Sequence, residues 1–163
     1  MTEVTETRGT QAAVQVAILA DDLIWATRLS DAVTAAGGVP KRVRRLGDLE
    51  ALLAGGSLPF VIVDLTARAY AGVEAIRTAA TLGARVIAVG QHDDVDTRKA
   101  ALDAGAERVY AYRKLFEDGP RTIGAWRAAS RPAPYPPARS RRSMPTASLA
   151  PATAWPSAAP GPC

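Results

Sequence analysis

Short apolar runs recur along the chain, and between them apolar residues return at helical spacing. The most apolar run is Phe60-Val61-Ile62-Val63-Asp64-Leu65, set between Pro59 and the polar Thr66-Ala67-Arg68. A β-branched run of this length predicts a strand buried on both faces, as in a parallel sheet covered by helices. Val14 to Ala20 predicts a second such strand, which runs straight into Asp21-Asp22. Val39 to Leu46 alternates apolar and basic residues around Val43, the pattern of an edge or near-edge strand. Val86 to Val89, ending at Gly90, and Arg108 to Tyr112 complete the set.

The intervening stretches predict helices. Leu23, Ile24, Leu29, Val33 and Ala36 share one helical face, and Gly37-Gly38 supplies the stop. Asp48 is placed to cap a short helix over Leu49 to Ala54, which ends at Gly55-Gly56. Gly72 to Leu82 closes on Gly83, and a helix capped by Asp93 or Asp94 runs to Ala104 and closes on Gly105. Asp118, with Pro120 just behind it, predicts the start of a last helix carrying Ile123 and Trp126. Strands alternating with helices in this way imply right-handed βαβ units, hence an α/β class and a doubly wound, five-stranded parallel sheet.

Charge changes this picture at the end of the chain. Of 163 residues with a formal net charge of +4, residues 127–163 hold five arginines and no acid. Residues 1–126 set 15 Lys and Arg against 16 Asp and Glu, a net of −1. The excess positive charge therefore describes a tail, which argues against a nucleic-acid-binding role for the folded part. Nine of the twelve prolines also lie beyond residue 130. The expected organisation is a disordered leader over 1–12, one domain over 13–129, and a disordered Pro/Ala/Arg-rich tail over 130–163. Cys163 alone permits neither a disulfide nor a Cys-based metal site within one chain. The polar start carries Glu3 and Glu6, unlike a signal peptide, and no apolar stretch is long enough to span a membrane, so a cytoplasmic location is expected.

Candidate chemistry gathers at strand ends. In an open parallel sheet, ligands collect outside the carboxyl ends of the strands. Asp21-Asp22 ends the first strand and Asp64 the third, and these strands are neighbours in a doubly wound sheet, so three carboxylates are expected in one crevice. Like charges that close are costly unless neutralised. A hard divalent cation such as Mg²⁺, which takes oxygen ligands, meets that need, and the set suits phosphoryl transfer onto a carboxylate.

The Asp21-Asp22 pair, the Val-Ile-Val-Asp64-Leu strand end, Gly72 eight residues on and Ala104-Gly105-Ala106 together resemble a response-regulator receiver domain of the chemotaxis-regulator type. The resemblance covers about residues 14–128 and implies a flavodoxin-like (βα)5 fold. By this resemblance Asp64 is the phosphoacceptor, attacking the phosphoryl group on a histidine of a sensor kinase or phosphotransfer protein. Asp22 binds Mg²⁺ directly, Asp21 mostly through water, and the Thr66 backbone carbonyl completes the protein ligands. It implies a module of two-component signalling, not a dedicated enzyme, with output through contact with another protein on the face of the fourth helix, fifth strand and fifth helix.

Five positions depart from the family pattern. Gly90 stands where the family places a Ser or Thr hydroxyl, and Tyr112-Arg113 where it places Lys followed by Pro. Val109 takes the aromatic switch position, and Arg68 replaces the usual Pro four residues after the acceptor. Lys114, Arg68 and Arg113 are the candidate substitute cations. An alternative is a pseudo-receiver that binds its partner independently of phosphorylation. His92 and the run Lys41-Arg42-Val43-Arg44-Arg45 have solvated readings, and Trp25 and Trp126 are expected to pack the first and last helices.

Overall fold

The strands form where both faces of a run can be buried. In the computed structural model, which describes residues 14–56, 59–91 and 93–129, they are β1 (Gln15–Leu19), β2 (Val39–Val43), β3 (Phe60–Asp64), β4 (Arg85–Gly90) and β5 (Arg108–Ala111). The helices between and after them are α1 (Leu23–Ala35), α2 (Leu46–Ala54), α3 (Gly72–Thr81), α4 (Val95–Asp103) and α5 (Tyr112–Ala128). All strand pairs are parallel, in the order β2-β1-β3-β4-β5. The expected leader, the expected tail and His92 lie outside the described residues.

Alternation along the strands divides the core into two layers. Ala17, Leu19, Val61, Val63, Val86 and Ala88 pack toward α2, α3 and α4. Val16, Ile18, Phe60, Ile62, Ile87 and Val89 pack with Ala26, Leu29 and Val33 of α1 and Ile123 and Trp126 of α5. Burial on both sides is why β3 reads as an unbroken apolar run, since every one of its residues is inside. Asp64, in step with Phe60 and Ile62, belongs to the side covered by α1 and α5.

The turns show why some glycines are required. Gly37, at φ 77, lets the chain leave α1 in a left-handed turn, where the Gly38 amide donates to the Val33 carbonyl at 2.9 Å. Gly105 combines φ 114 with a neighbour too near for any side chain, since an added Cβ would lie 2.8 Å from that of Ala80.

Four boundaries differ from the sequence expectation. The edge strand stops at Val43, and α2 begins at Leu46, with Arg45 at its N-cap and Asp48 in its first turn. Asp48 acts there by its charge near the helix N-terminus and not as the cap. β5 ends at Ala111, so Tyr112 opens a helix where a strand end was expected. The predicted helix start at Asp118 is a break inside α5, with Asp118 at φ −141 and ψ 29. Pro120 explains it, since its ring and missing N–H cannot continue the helix from the preceding turn.

The foot of the sheet is closed by one arginine. Arg85 pairs with Glu107 through two hydrogen bonds of 2.8 and 2.9 Å, donates to the Ala129 and Trp126 carbonyls, and lies over the Phe60 and Trp126 rings. Trp126 Nε1 donates to the same glutamate, so the end of α5 is tied to β4 and β5.

Candidate functional site

The parallel sheet brings the ends of β1 and β3 side by side, and with them Asp21, Asp22 and Asp64. Asp64 is 1% exposed. Its Oδ1 accepts from the Thr66 amide and the Thr66 hydroxyl, both at 2.9 Å, and from the Tyr112 phenol. Its Oδ2 is buried with no hydrogen-bond partner among the described residues. Few buried polar atoms in a folded protein are left in that state, and those that are call for an ion, a water or a reaction to explain them.

The flanking carboxylates are held apart by local backbone. Asp22 Oδ1 accepts from the Trp25 amide at 3.0 Å, which makes Asp22 the N-cap of α1. Asp21 Oδ2 accepts from the Arg68 and Ala69 amides at 2.7 and 3.0 Å, fixing the loop after β3 to the end of β1. Partial burial pushes the Asp21 carboxyl up, but those amides together outweigh it and hold the group below the ordinary carboxylate range. Among the described residues no three acidic, His or Cys side chains are gathered closely enough to hold a metal ion. Two of the three carboxylates at these strand ends are thus each drawn by one oxygen to backbone amides. The donors still suit a hard cation in kind, being oxygens only, with the Asp64 Oδ2 orphan as the atom that lacks a partner.

The departures from the family pattern have definite places. Tyr112 occupies the strand-end position by standing first in α5, and its hydroxyl also lies 2.5 Å from that of Thr66. Its ring stacks on Trp25, with centroids 4.1 Å apart and planes at 31°. Burial, and then the hydrogen bond to Asp64, push the Tyr112 phenol well above its ordinary range. Gly90 leaves a hollow of about 20 Å³ bordered by Leu65, Thr66 and Val109 among others. Val109 is buried in the core and carries no switchable ring.

Of the three substitute cations, two point elsewhere. Lys114 would have needed an extended strand, but β5 ends at Ala111, and the lysine pairs with Asp118 at 2.9 Å along α5. Arg113 is exposed and pairs with Glu117 at 2.8 Å. Of the three, only Arg68 stands in a loop bordering the site, with its backbone engaged and its exposed guanidinium unpaired among the described residues.

Several contributors had no sequence signal strong enough to single them out. Thr66, whose carbonyl is the expected ligand, also gives two donors to Asp64 through its amide and hydroxyl. Trp25, expected to pack α1, does so by stacking on Tyr112 at the start of α5, next to the site. Tyr70 donates to the Leu19 carbonyl at 2.6 Å and lies 3.0 Å from that of Asp64, bridging the ends of β1 and β3. Burial, reinforced by the charges of Asp64 and Asp21, drives its phenol upward as well.

No family model matches the chain, and no curated protein matches it in sequence. Solved structures do match it. The signal receiver domain of a DNA-binding response regulator from Colwellia psychrerythraea is 20% identical with a TM-score of 0.62, covering 71% of this chain and 99% of that one. A BeF3-activated DrrB receiver domain gives 18%, 0.61, and 72% and 99%. A response regulator from Burkholderia pseudomallei, solved with a phosphorylated aspartic acid, a calcium ion and citrate, gives 17%, 0.56, and 74% and 76%. Among the described residues no helix is long and apolar enough to cross a membrane. With its strand order of β2-β1-β3-β4-β5, the chain therefore has the flavodoxin-like (βα)5 fold of response-regulator receiver domains.

Proposed function

We propose that the chain is a receiver module of two-component signalling, that Asp64 accepts a phosphoryl group from a partner's phosphohistidine, and that output passes through protein contact. The observation that carries this reading is the buried carboxylate at the end of the central strand, with one oxygen lacking any partner. It stands where ligands collect in an open parallel sheet, beside two further carboxylates. The phosphorylated aspartic acid and calcium ion of the Burkholderia relative support the same chemistry.

In the reaction, an Asp64 oxygen attacks phosphorus and a new O–P bond forms. The P–N bond to the donor histidine breaks, and its electron pair stays on the imidazole. Mg²⁺, when bound, offsets charge on the phosphoryl oxygens. Asp64, Asp22, the Thr66 carbonyl and, through water, Asp21 are the groups that would hold it. Thr66 orients the acceptor through its amide and hydroxyl, and Arg68 is the cation free to meet a phosphoryl oxygen. Without a hydroxyl at Gly90 or a lysine at Tyr112, the product loses stabilisation worth a few kcal/mol.

The test is phosphotransfer from a histidine-phosphorylated kinase or phosphotransfer protein carrying labelled phosphate, in Mg²⁺. Label should pass to the wild-type chain and not to Asp64→Asn. Label appearing equally on both would overturn the assignment of Asp64.

A further inference from the structure

We propose that Tyr112 and Trp25 form a removable aromatic cover over Asp64, with Tyr112 the positioning residue whose displacement sets how fast Asp64 accepts a phosphoryl group. This rests on the reading of Asp64 as the acceptor. Three observations meet at one atom group. The Tyr112 phenol donates to Asp64 Oδ1 and contacts the Thr66 hydroxyl, so that oxygen already carries three donors. The ring lies against Trp25 at 4.1 Å, and Asp64 beneath is 1% exposed. The remaining oxygen is buried and unpartnered, so neither oxygen is presented to a donor in this arrangement.

The cover is made of two side chains at helix starts and of no backbone segment. Trp25 belongs to the first turn of α1 and Tyr112 to the first turn of α5, and both rings are only partly buried. On the outer side Arg28 lies 5.6 Å from the Trp25 ring and 4.5 Å from that of Phe116. Leu23 and Ile24 of α1 and Phe116 of α5 are 72%, 66% and 63% exposed, so the two helix starts that carry the rings face solvent. A hydrogen bond to a charged group plus a stacked ring pair is worth about one and a half to three powers of ten in an equilibrium. The covered form should therefore dominate by that factor, and removing the cover should speed the reaction by about 30- to 1,000-fold.

The experiment uses the full chain with acetyl phosphate and Mg²⁺. Asp64 attacks phosphorus, the P–O bond to the acetyl group breaks, and acetate leaves with the electron pair; the Tyr112 proton stays on its phenol. Initial rates are compared for wild type, Tyr112→Phe, Tyr112→Ala and Trp25→Ala. Iodide quenching of the Trp25 emission, taken without metal or donor as the difference from the same chain carrying Trp25→Phe because Trp126 and Trp155 also emit, reports whether Trp25 has been uncovered in the two Tyr112 variants. Rates should rise from wild type through Tyr112→Phe to Tyr112→Ala and should also rise in Trp25→Ala, with quenching greater in Tyr112→Ala than in Tyr112→Phe. A wild type as fast as Tyr112→Ala overturns the cover and leaves the acceptor reading standing. A faster Tyr112→Ala with unchanged quenching also overturns it, since the gain then comes from the lost hydrogen bond alone. No phosphoryl gain in any of the four overturns the cover and the acceptor reading together.

Discussion

Restoring a hydroxyl at the end of β4 tests how far Gly90 limits this site. A Cβ built on Gly90 would lie 3.3 Å from Leu65 Cδ1 and 3.4 Å from Leu65 Cβ, with no backbone atom nearby. Leu65 is only partly buried, so its side chain can give by the few tenths of an ångström required. The backbone at Gly90 is outside the left-handed region, so a side chain adds no strain there. Replacing a strand glycine gains about 0.5–1 kcal/mol, and crowding Leu65 costs a similar amount. Gly90→Ser should therefore unfold in urea within about 1 kcal/mol of wild type. The adjoining hollow of about 20 Å³ has room for one hydroxyl. A hydrogen bond from it to the transferred group is worth about 1.5–3 kcal/mol. The lifetime of the Asp64 phosphoprotein, followed by intact mass after donor removal, should lengthen on the order of tenfold or more. A loss of stability above about 2 kcal/mol would refute the packing argument. An unchanged lifetime in a stable variant would refute the claim that the missing hydroxyl matters.

Three further outcomes follow from the geometry. Glu107→Ala leaves Arg85 with two carbonyls and two rings but no counter-charge, and both side chains are 12% exposed in the native pair, so urea unfolding should show a loss of about 2–4 kcal/mol; a loss under about 1 kcal/mol would contradict it. Asp64→Asn removes an uncompensated buried oxygen charge while keeping an acceptor for Thr66 and Tyr112, so stability should rise by about 1–2 kcal/mol, and a fall would contradict the orphan assignment. Tyr70 and Tyr112 are pushed up by burial, so the folded state retains phenol protons that the unfolded chain releases near pH 10. Their contribution is complete below pH 10 and falls as pH rises beyond it; two of the four tyrosines should therefore ionise, by absorbance near 295 nm, only as the protein unfolds in alkali.

The sheet was legible because burial on both faces leaves a run such as Phe60–Asp64 no polar position to hide. Helix stops were legible at Gly37, Gly83 and Gly105, where φ is positive. The β5–α5 junction was not, because Arg-Val-Tyr-Ala-Tyr alternates like a strand through the residue at which the helix begins. At the site, strand ends announced all three aspartates, but carboxylates have competing uses. Asp22 precedes a helix and caps it, and Asp21 finds amides 47 and 48 residues away. The approach of Tyr112 to Asp64 spans 48 residues and has no local spacing rule. Its one sequence trace was the placement of Tyr112 at the lysine position, which marks the place without showing the phenol on the acceptor.

The measurement that bears most directly on the central claim is intact mass after incubation with Mg²⁺ and acetyl phosphate, for wild type, Tyr112→Ala and Asp64→Asn. The account predicts one added phosphoryl group on wild type, more rapidly on Tyr112→Ala, and none on Asp64→Asn. No addition to wild type or to Tyr112→Ala would contradict it and leave a receiver fold that binds its partner without phosphorylation.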